Sequence, residues 1–342
     1  MQYSFELVLT RINSTYGGMP VQNNIVVNKV NSGNKKSFRE YNCLKVLKKQ
    51  KYLIFMSLPF VIWLFIFKYI PLWGWTMAFQ KYMPGRSFFE QEWVGFEYFI
   101  KMFQDSTFYL VLRNTIAMSL LSLIFGFTLP IVLAILINEI QANKFKRVVQ
   151  TISYLPHFVS WVIVASLFSK MLSIDDGLVN NVLLSLGLID KPIAFMGEPK
   201  LFWGIITFAD VWKEIGWNSI IFLAAIAGIS PDLYESAMVD GASRLRRIWH
   251  ITLPGILPTV MVILIMTMGN LINIGFEKQY LMRTSLVRDY SDVLDLYILD
   301  YGISAGRWAF GTAAGIFKSV VSIILLFSAN TISKKTMGVK IV

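Results

Sequence analysis

Cysteine is almost missing from this sequence. Cys43 is the only one among 342 residues, so no intrachain disulfide can form. Histidine is nearly as scarce: His157 and His250 are the two, and neither has a companion at metal-ligand spacing, so no metal centre is expected. No Gly-x-x-x-x-Gly-Lys-Ser/Thr loop occurs, so the chain is not expected to bind and split ATP alone. No Ser/His/Asp or paired-carboxylate arrangement stands at a credible catalytic spacing, and the expectation is a non-catalytic chain without a cofactor. Charge is thin as well. Charged residues make up 15% of the chain against 55% hydrophobic, and the mean hydropathy of +0.55 lies far from that of soluble globular domains.

Long apolar runs are what the chain has. About 20 apolar residues cross the hydrocarbon core, and six stretches qualify: 53–79, 114–137, 152–172, 201–229, 254–275 and 308–332. The expected fold is an all-α integral membrane protein with six transmembrane helices. The first run is broken by Lys68 and Pro71, and the fourth carries charges. Residues 1–40 are polar and Asn-rich, with no sustained helical period, and read as a disordered cytoplasmic leader ahead of one membrane domain over 41–342. The leader has no continuous apolar core, which argues against a cleaved signal peptide and against a lipid-anchored Cys43. On the other side, Pro84-Gly85 and an aromatic-rich stretch through Phe108 predict a helix lying at the interface. Asp175-Asp176-Gly177 predicts a turn and a short helix, and 276–307 forms a third sizeable loop.

The net charge is +11, but its placement carries more information than its size, because Lys and Arg in short flanking loops set orientation. Lys45, Lys48, Lys49 and Lys51 precede the first span; Lys144, Lys146 and Arg147 lie between the second and third. Arg244, Arg246 and Arg247 lie between the fourth and fifth, and Lys334, Lys335 and Lys340 follow the sixth. All four groups fall on one side. The opposite loops hold Glu90, Glu92, Glu97, Asp175, Asp176, Asp190, Glu277, Asp289, Asp292, Asp295 and Asp300. Both termini are therefore expected in the cytoplasm of a bacterial cell, with the chain multi-pass in the plasma or inner membrane. The basic clusters flank spans and lack a binding fold, so nucleic acid is not an expected partner.

Between the fourth and fifth spans, over 230–254, local signals describe two short helices. Ser230 is a candidate cap, Pro231 suits a first helical position and Asp232 complements the helix dipole. Gly241 permits a left-handed turn, after which Ala242 to His250 resume as a basic helix until Pro254 opens the next span. Glu235-Ser236-Ala237, three residues, Gly241, nine residues, then Ile251-Thr252-Leu253-Pro254 resembles the EAA loop of binding-protein-dependent ABC importer permeases. Ser236 stands where an alanine is usual, a small-for-small exchange. The resemblance implies a type I importer permease working with two cytoplasmic ATP-binding subunits, an extracellular or periplasmic solute-binding protein, a second non-identical permease and the surrounding lipid. It further implies that the helix around Glu235 seats in a groove on an ATPase. Leu233, Tyr234, Ala237 and Met238 would supply apolar contact, Glu235 would hold a basic partner, and Gly241 would keep the two helices closely apposed.

Inside the fourth span Asp210, Lys213, Glu214 and Trp217 recur at i, i+3, i+4 and i+7, one face of a helix. A charge at mid-membrane costs on the order of 3 kcal/mol, so this face meets a partner helix or a wet cavity. Asp210 and Lys213 can neutralise one another, and Trp212 and Trp217 offer flat faces to a sugar ring. Lys318 in the sixth span can reach Glu214 or Asp210, and Asn270 and Asn273 can bond either saccharide hydroxyls or a neighbouring helix. These eight residues are read as a translocation path or as interhelical locks. Sequence around Asn273–Glu277, 286–297 and 313–320 is similar to the branch of sugar-importer permeases serving complex saccharides, implying alternating-access import of an oligosaccharide or polysaccharide fragment. Permeases for amino acids, peptides or phosphate, an ion-coupled secondary transporter and a membrane enzyme are the competing readings.

Overall fold

The structure, a computed structural model, describes residues 50–337. The leader over 1–40, Cys43, Lys45, Lys48, Lys49 and Lys340 lie outside the described residues. Contacts divide the chain at Phe67 into two units. In the first, α1 (Lys51–Leu64) is apolar and has no buried residue, as suits a helix whose solvent is lipid. The second unit holds all the cores.

Chain order in the second unit is helical almost throughout. A tight helical run over Ile70–Phe79 starts at Pro71 and leads to a two-residue hairpin ladder, β1 (Gln80–Lys81) with β2 (Glu92–Trp93). Then come α2 (Glu97–Gln104), α3 (Ser106–Leu121), α4 (Thr128–Asn138), α5 (Asn143–Tyr154) and α6 (Trp161–Met171). They are followed by α7 (Leu178–Ser185), α8 (Pro199–Ala227), α9 (Pro231–Val239), α10 (Arg244–Arg247) and α11 (Leu253–Gly269). The carboxy-terminal part has α12 (Glu277–Met282), α13 (Arg288–Ser291), α14 (Leu294–Tyr297) and α15 (Trp308–Met337). Helices occur where the sequence predicts them in the stretch before Phe108 and after Gly177, as α2 and α7.

By length and composition Lys51–Phe79, Ser106–Asn138, Arg244–Gly269 and Trp308–Lys335 can each cross a membrane, and two bent pairs bring the number to as many as six. Three spans differ from the sequence expectation. The second starts at Ser106, eight residues early, because Asp105 caps it through Thr107 N at 2.9 Å. The third is no straight helix: Asn143–Phe158 and Trp161–Met171 meet at 101°. Pro156 and the capping Ser160, which accepts from Ile163 N at 3.4 Å, turn the chain inside one apolar run. The fifth begins at Arg244 rather than at Pro254 and ends at Gly269. A wide π turn over Ile248–Thr252 carries the helix through Pro254, as a similar turn over Ser122–Phe127 precedes Pro130. Widening relieves the proline ring's clash with the preceding turn.

α8 is the central element, packing on α4, α5, α11 and α13. Its approach to α5 is close: a Cβ on Gly216 would lie 1.9 Å from the Ser153 carbonyl oxygen. One apolar cluster joins Ala134, Phe222, Ile226 and Ile256 at the α4, α8 and α11 contact. Two more sit toward the other end, one around Phe168, Phe202 and Ile206, the other around Met102, Phe108 and Tyr297. There the irregular stretch 283–300 folds onto the helices, and its backbone is satisfied by buried side chains. Asn114 donates to the carbonyls of Asp289 and Asp292 at 3.0 and 2.9 Å, Thr115 accepts from Leu294 N at 2.9 Å, and Trp203 donates to Tyr290 O at 2.8 Å.

Candidate functional site

α8 bends by 70° into α9, the segment with the EAA spacing. Pro231 occupies the first turn and Asp232 faces the dipole, but Ser230 makes no capping bond through its side chain. The far end is well closed. Gly241 N donates to Met238 O at 3.1 Å and Ala242 N to Ala237 O at 2.8 Å, the paired bonds of a Schellman turn, with Gly241 at φ +75°. A Cβ on Gly241 would meet nothing within 4 Å. The glycine is thus required by backbone conformation, and not by the close apposition of two helices expected from the resemblance. Ser243 then caps α10 through Arg246 N at 3.4 Å.

No residue of α9 is buried. Leu233 and Met238 are half exposed, as a docking surface needs, and Val239, Leu245 and Trp249 extend the apolar face at 88%, 70% and 67% exposure. Glu235 is exposed and makes no ion pair among the described residues. Tyr234 and Ala237 are turned inward instead. The Tyr234 hydroxyl bonds Thr252 Oγ1 at 3.0 Å, anchoring α9 to the π turn within the fifth span.

The charged face of α8 opens on a cavity of about 380 Å³ lined by Asp210, Glu214, Trp217, Ser122 and Thr267. A second space of about 420 Å³ shares Ser122, Ile263 and Thr267 with it and adds Asn270, Asn273 and Lys278. Five of the eight expected path residues therefore line adjoining spaces of mixed polar and apolar lining between α8, α11 and the π turn Ser122–Phe127. The ion pairs differ from expectation. Asp210 binds Lys278 at 2.8 Å, not Lys213. Lys213 is buried, bonds Glu214 at 3.1 Å and donates to the His157 carbonyl at 2.5 Å. Lys318 reaches neither carboxylate of α8 but pairs with Asp295, whose other oxygen is buried without a hydrogen-bond partner among the described residues.

His157 completes the arrangement, and sequence reasoning had given it no role. Its Nδ1 lies 2.7 Å from Glu214 Oε2, and its ring stacks on Trp217 at 4.3 Å and 2°. The sharp bend between α5 and α6 is thereby clipped to α8 by three side chains, Lys213, Glu214 and Trp217. One face of Trp217 is covered by the imidazole, Phe158 packs edge-on at 5.7 Å, and the ring also lines the cavity. Trp212 stays apart, packed on Phe168 at 6.0 Å in an apolar groove with Leu167 and Phe208. Asn270 bonds its own helix at Met266 O (3.2 Å), and Asn273 reaches Ser322 Oγ at 3.5 Å on α15. No group of three or more potential metal ligands occurs among the described residues.

A model of the binding-protein-dependent transport system inner membrane component family matches residues 126–338. Protein LplB of Bacillus subtilis (strain 168) is 44% identical over 292 residues, 85% of this chain and 91% of LplB. The polygalacturonan/rhamnogalacturonan transport system permease protein YteP of the same organism is 42% identical over 301 residues, 88% of this chain and 93% of YteP. Among solved structures, a chain of a bacterial ABC transporter involved in the import of the acidic polysaccharide alginate aligns with a TM-score of 0.80 and 41% identity. That alignment covers 86% of this chain and 99% of the other. By sequence and by fold, the chain belongs to the family of binding-protein-dependent transport system inner membrane components, the permeases of ABC importers.

Proposed function

We propose that this chain is one half of the membrane path of an ATP-driven importer carrying an oligosaccharide or polysaccharide fragment into the cytoplasm. A second, non-identical permease forms the other half, two ATP-binding subunits dock at α9 from the cytoplasm, and a binding protein delivers the sugar outside. The observation that carries this reading is a single helix, α8, that walls the cavity with Asp210, Glu214 and Trp217 and continues through a 70° bend into the exposed α9. Leu233, Met238 and Val239 offer an apolar docking face, and Glu235 offers an unpaired charge. Closure of the ATPases draws two such loops together and opens the outer side; hydrolysis resets the inward-facing state. YteP is named for polygalacturonan and rhamnogalacturonan, and an alginate transporter structure contains an alginate pentasaccharide-bound periplasmic protein, which supports a saccharide cargo. An ion-coupled secondary transporter is disfavoured because Asp210 and Glu214 are both engaged by lysines.

The test is reconstitution of the permease pair with its ATPases and binding protein. Saccharide uptake that needs ATP and all components, and that stops with Glu235→Lys while membrane insertion persists, is the expected result. Uptake by the isolated chain in a proton or sodium gradient would refute it.

A further inference from the structure

A third cavity, of about 560 Å³, lies where α2 meets the start of α15, the end opposite Lys334 and Lys335. Its lining includes Tyr82, Tyr98, Lys101, Asp105, Arg307 and Trp308, none of which lines the two spaces along α8. The volume falls within the roughly 300–1,000 Å³ usual for small-molecule pockets. In the orientation argued from charge, this is the outer face.

The cations here are not equivalent. Lys101 is committed to Glu97 at 2.5 Å, whereas Arg307 is exposed and makes no ion pair among the described residues. A free guanidinium fork matches a planar carboxylate through two parallel hydrogen bonds. Asp105 is fixed in place, accepting from Thr107 N at 2.9 Å and from the Tyr297 hydroxyl at 2.6 Å. Its remaining lone pairs can accept from hydroxyls. Tyr82, Tyr98 and Trp308 supply aromatic surface for the C–H face of a sugar ring. A ligand that satisfies all three features has a carboxylate, several hydroxyls and an apolar ring face.

We infer that this cavity is an outer subsite for a uronate, a sugar unit bearing a carboxylate, distinct from the membrane path. The inference rests on the saccharide reading of the cargo and narrows it to an acidic one. A lipid phosphate would meet the same Arg307, but it has no sugar ring to lay on Tyr82, Tyr98 and Trp308. The aromatic walls beside the cation are what favour the sugar.

Equilibrium binding of labelled trigalacturonate and galactotriose to the complete importer in nanodiscs, without binding protein, tests it. Trigalacturonate should bind about tenfold tighter than the neutral trisaccharide, the worth of one charge-assisted contact. Arg307→Gln should erase that preference and Arg307→Lys should keep part of it. Equal binding of the two sugars, or a preference that survives Arg307→Gln, overturns the proposal. So does Arg307-dependent thermal stabilisation by phosphatidylglycerol without uronate preference, which assigns the cavity to a lipid headgroup. The saccharide reading fails separately, if no sugar of either charge is taken up by the complete system.

Discussion

Gly241 separates two explanations of the α9 turn by the order in which substitutions hurt. Its φ of +75° lies where side chains are disfavoured, yet a Cβ there would meet no atom within 4 Å. The cost of a substitution is therefore conformational, about 1–2 kcal/mol for an ordinary residue, and less for asparagine, which visits that region routinely. The two Schellman bonds depend on this residue, and if they open, α9 is held beside the fifth span chiefly by the Tyr234–Thr252 bond, worth about 1 kcal/mol. A loss of 1–2 kcal/mol shifts the formed-to-frayed ratio of the turn by a factor of about 5–30. Substrate-stimulated ATPase activity of the reconstituted importer should accordingly fall by that factor in Gly241→Ala and Gly241→Leu alike, further in the β-branched Gly241→Val, and little in Gly241→Asn. Detergent-solubilised melting should hardly move. Activity that instead falls with side-chain volume, sparing alanine and losing asparagine, would refute the argument and restore close apposition as the reason for the glycine.

Three other outcomes are expected. Gly216→Ala should be severely destabilising, by about 1–3 kcal/mol or more in a thermal melt, because its Cβ would press on the Ser153 backbone carbonyl and not on a movable side chain. Asn114→Ala removes the side-chain donor to the Asp292 carbonyl, while Asp289 O keeps Arg113, and should cost about 1–3 kcal/mol, read as earlier protease cleavage within 283–300. Asp210→Asn leaves Lys278 without its counter-charge in a partly buried site and should impair transport, and the exchange Asp210→Lys with Lys278→Asp should recover part of the loss. Failure of that double exchange to improve on either single variant would argue against a simple pair.

The helical membrane fold and the α9 turn were legible because they depend on local chemistry: apolar run length, a proline at a first helical position and a glycine where φ must be positive. The 101° bend inside the third run was not. Trp161 and Val162 are as apolar as the residues before Pro156, so an average over the run hides a turn that Ser160 caps. Partner choice among charges was also illegible. Asp210 and Lys213 share a helix face, but Lys278 arrives from 68 positions away in a loop that the charge pattern placed outside the membrane. The same limit hid the Lys318–Asp295 pair, since the irregular stretch holding Asp295 folds back onto the helices only when Asn114, Thr115 and Trp203 satisfy the backbone around it. His157 gave no signal because its neighbours in space are Glu214 and Trp217, not its neighbours in sequence.

These contacts bear on how a push at α9 could reach the cavity. From Asp210 to Ala227 α8 runs uninterrupted for 18 residues, roughly 25 Å at 1.5 Å per residue, lining the cavity from Asp210 to Phe222 before the bend into α9. Only Gly228, Ile229 and Ser230 separate α8 from α9, so in the proposed mechanism the wall of the path and its lever are joined by a short connection. Lys213 and Glu214 add the α5–α6 bend to that lever, and Lys278 adds α12. If α8 moved alone, these ion pairs would break within a partly buried site at a cost of several kcal/mol. If the bend and α12 move with it, the pairs survive and the cavity changes shape against α11 and the π turn at Ser122–Phe127 instead. A cysteine pair across the His157–Trp217 contact, cross-linked without loss of ATP-driven uptake, would support joint movement, whereas cross-linking that stops uptake would show that the clip must open.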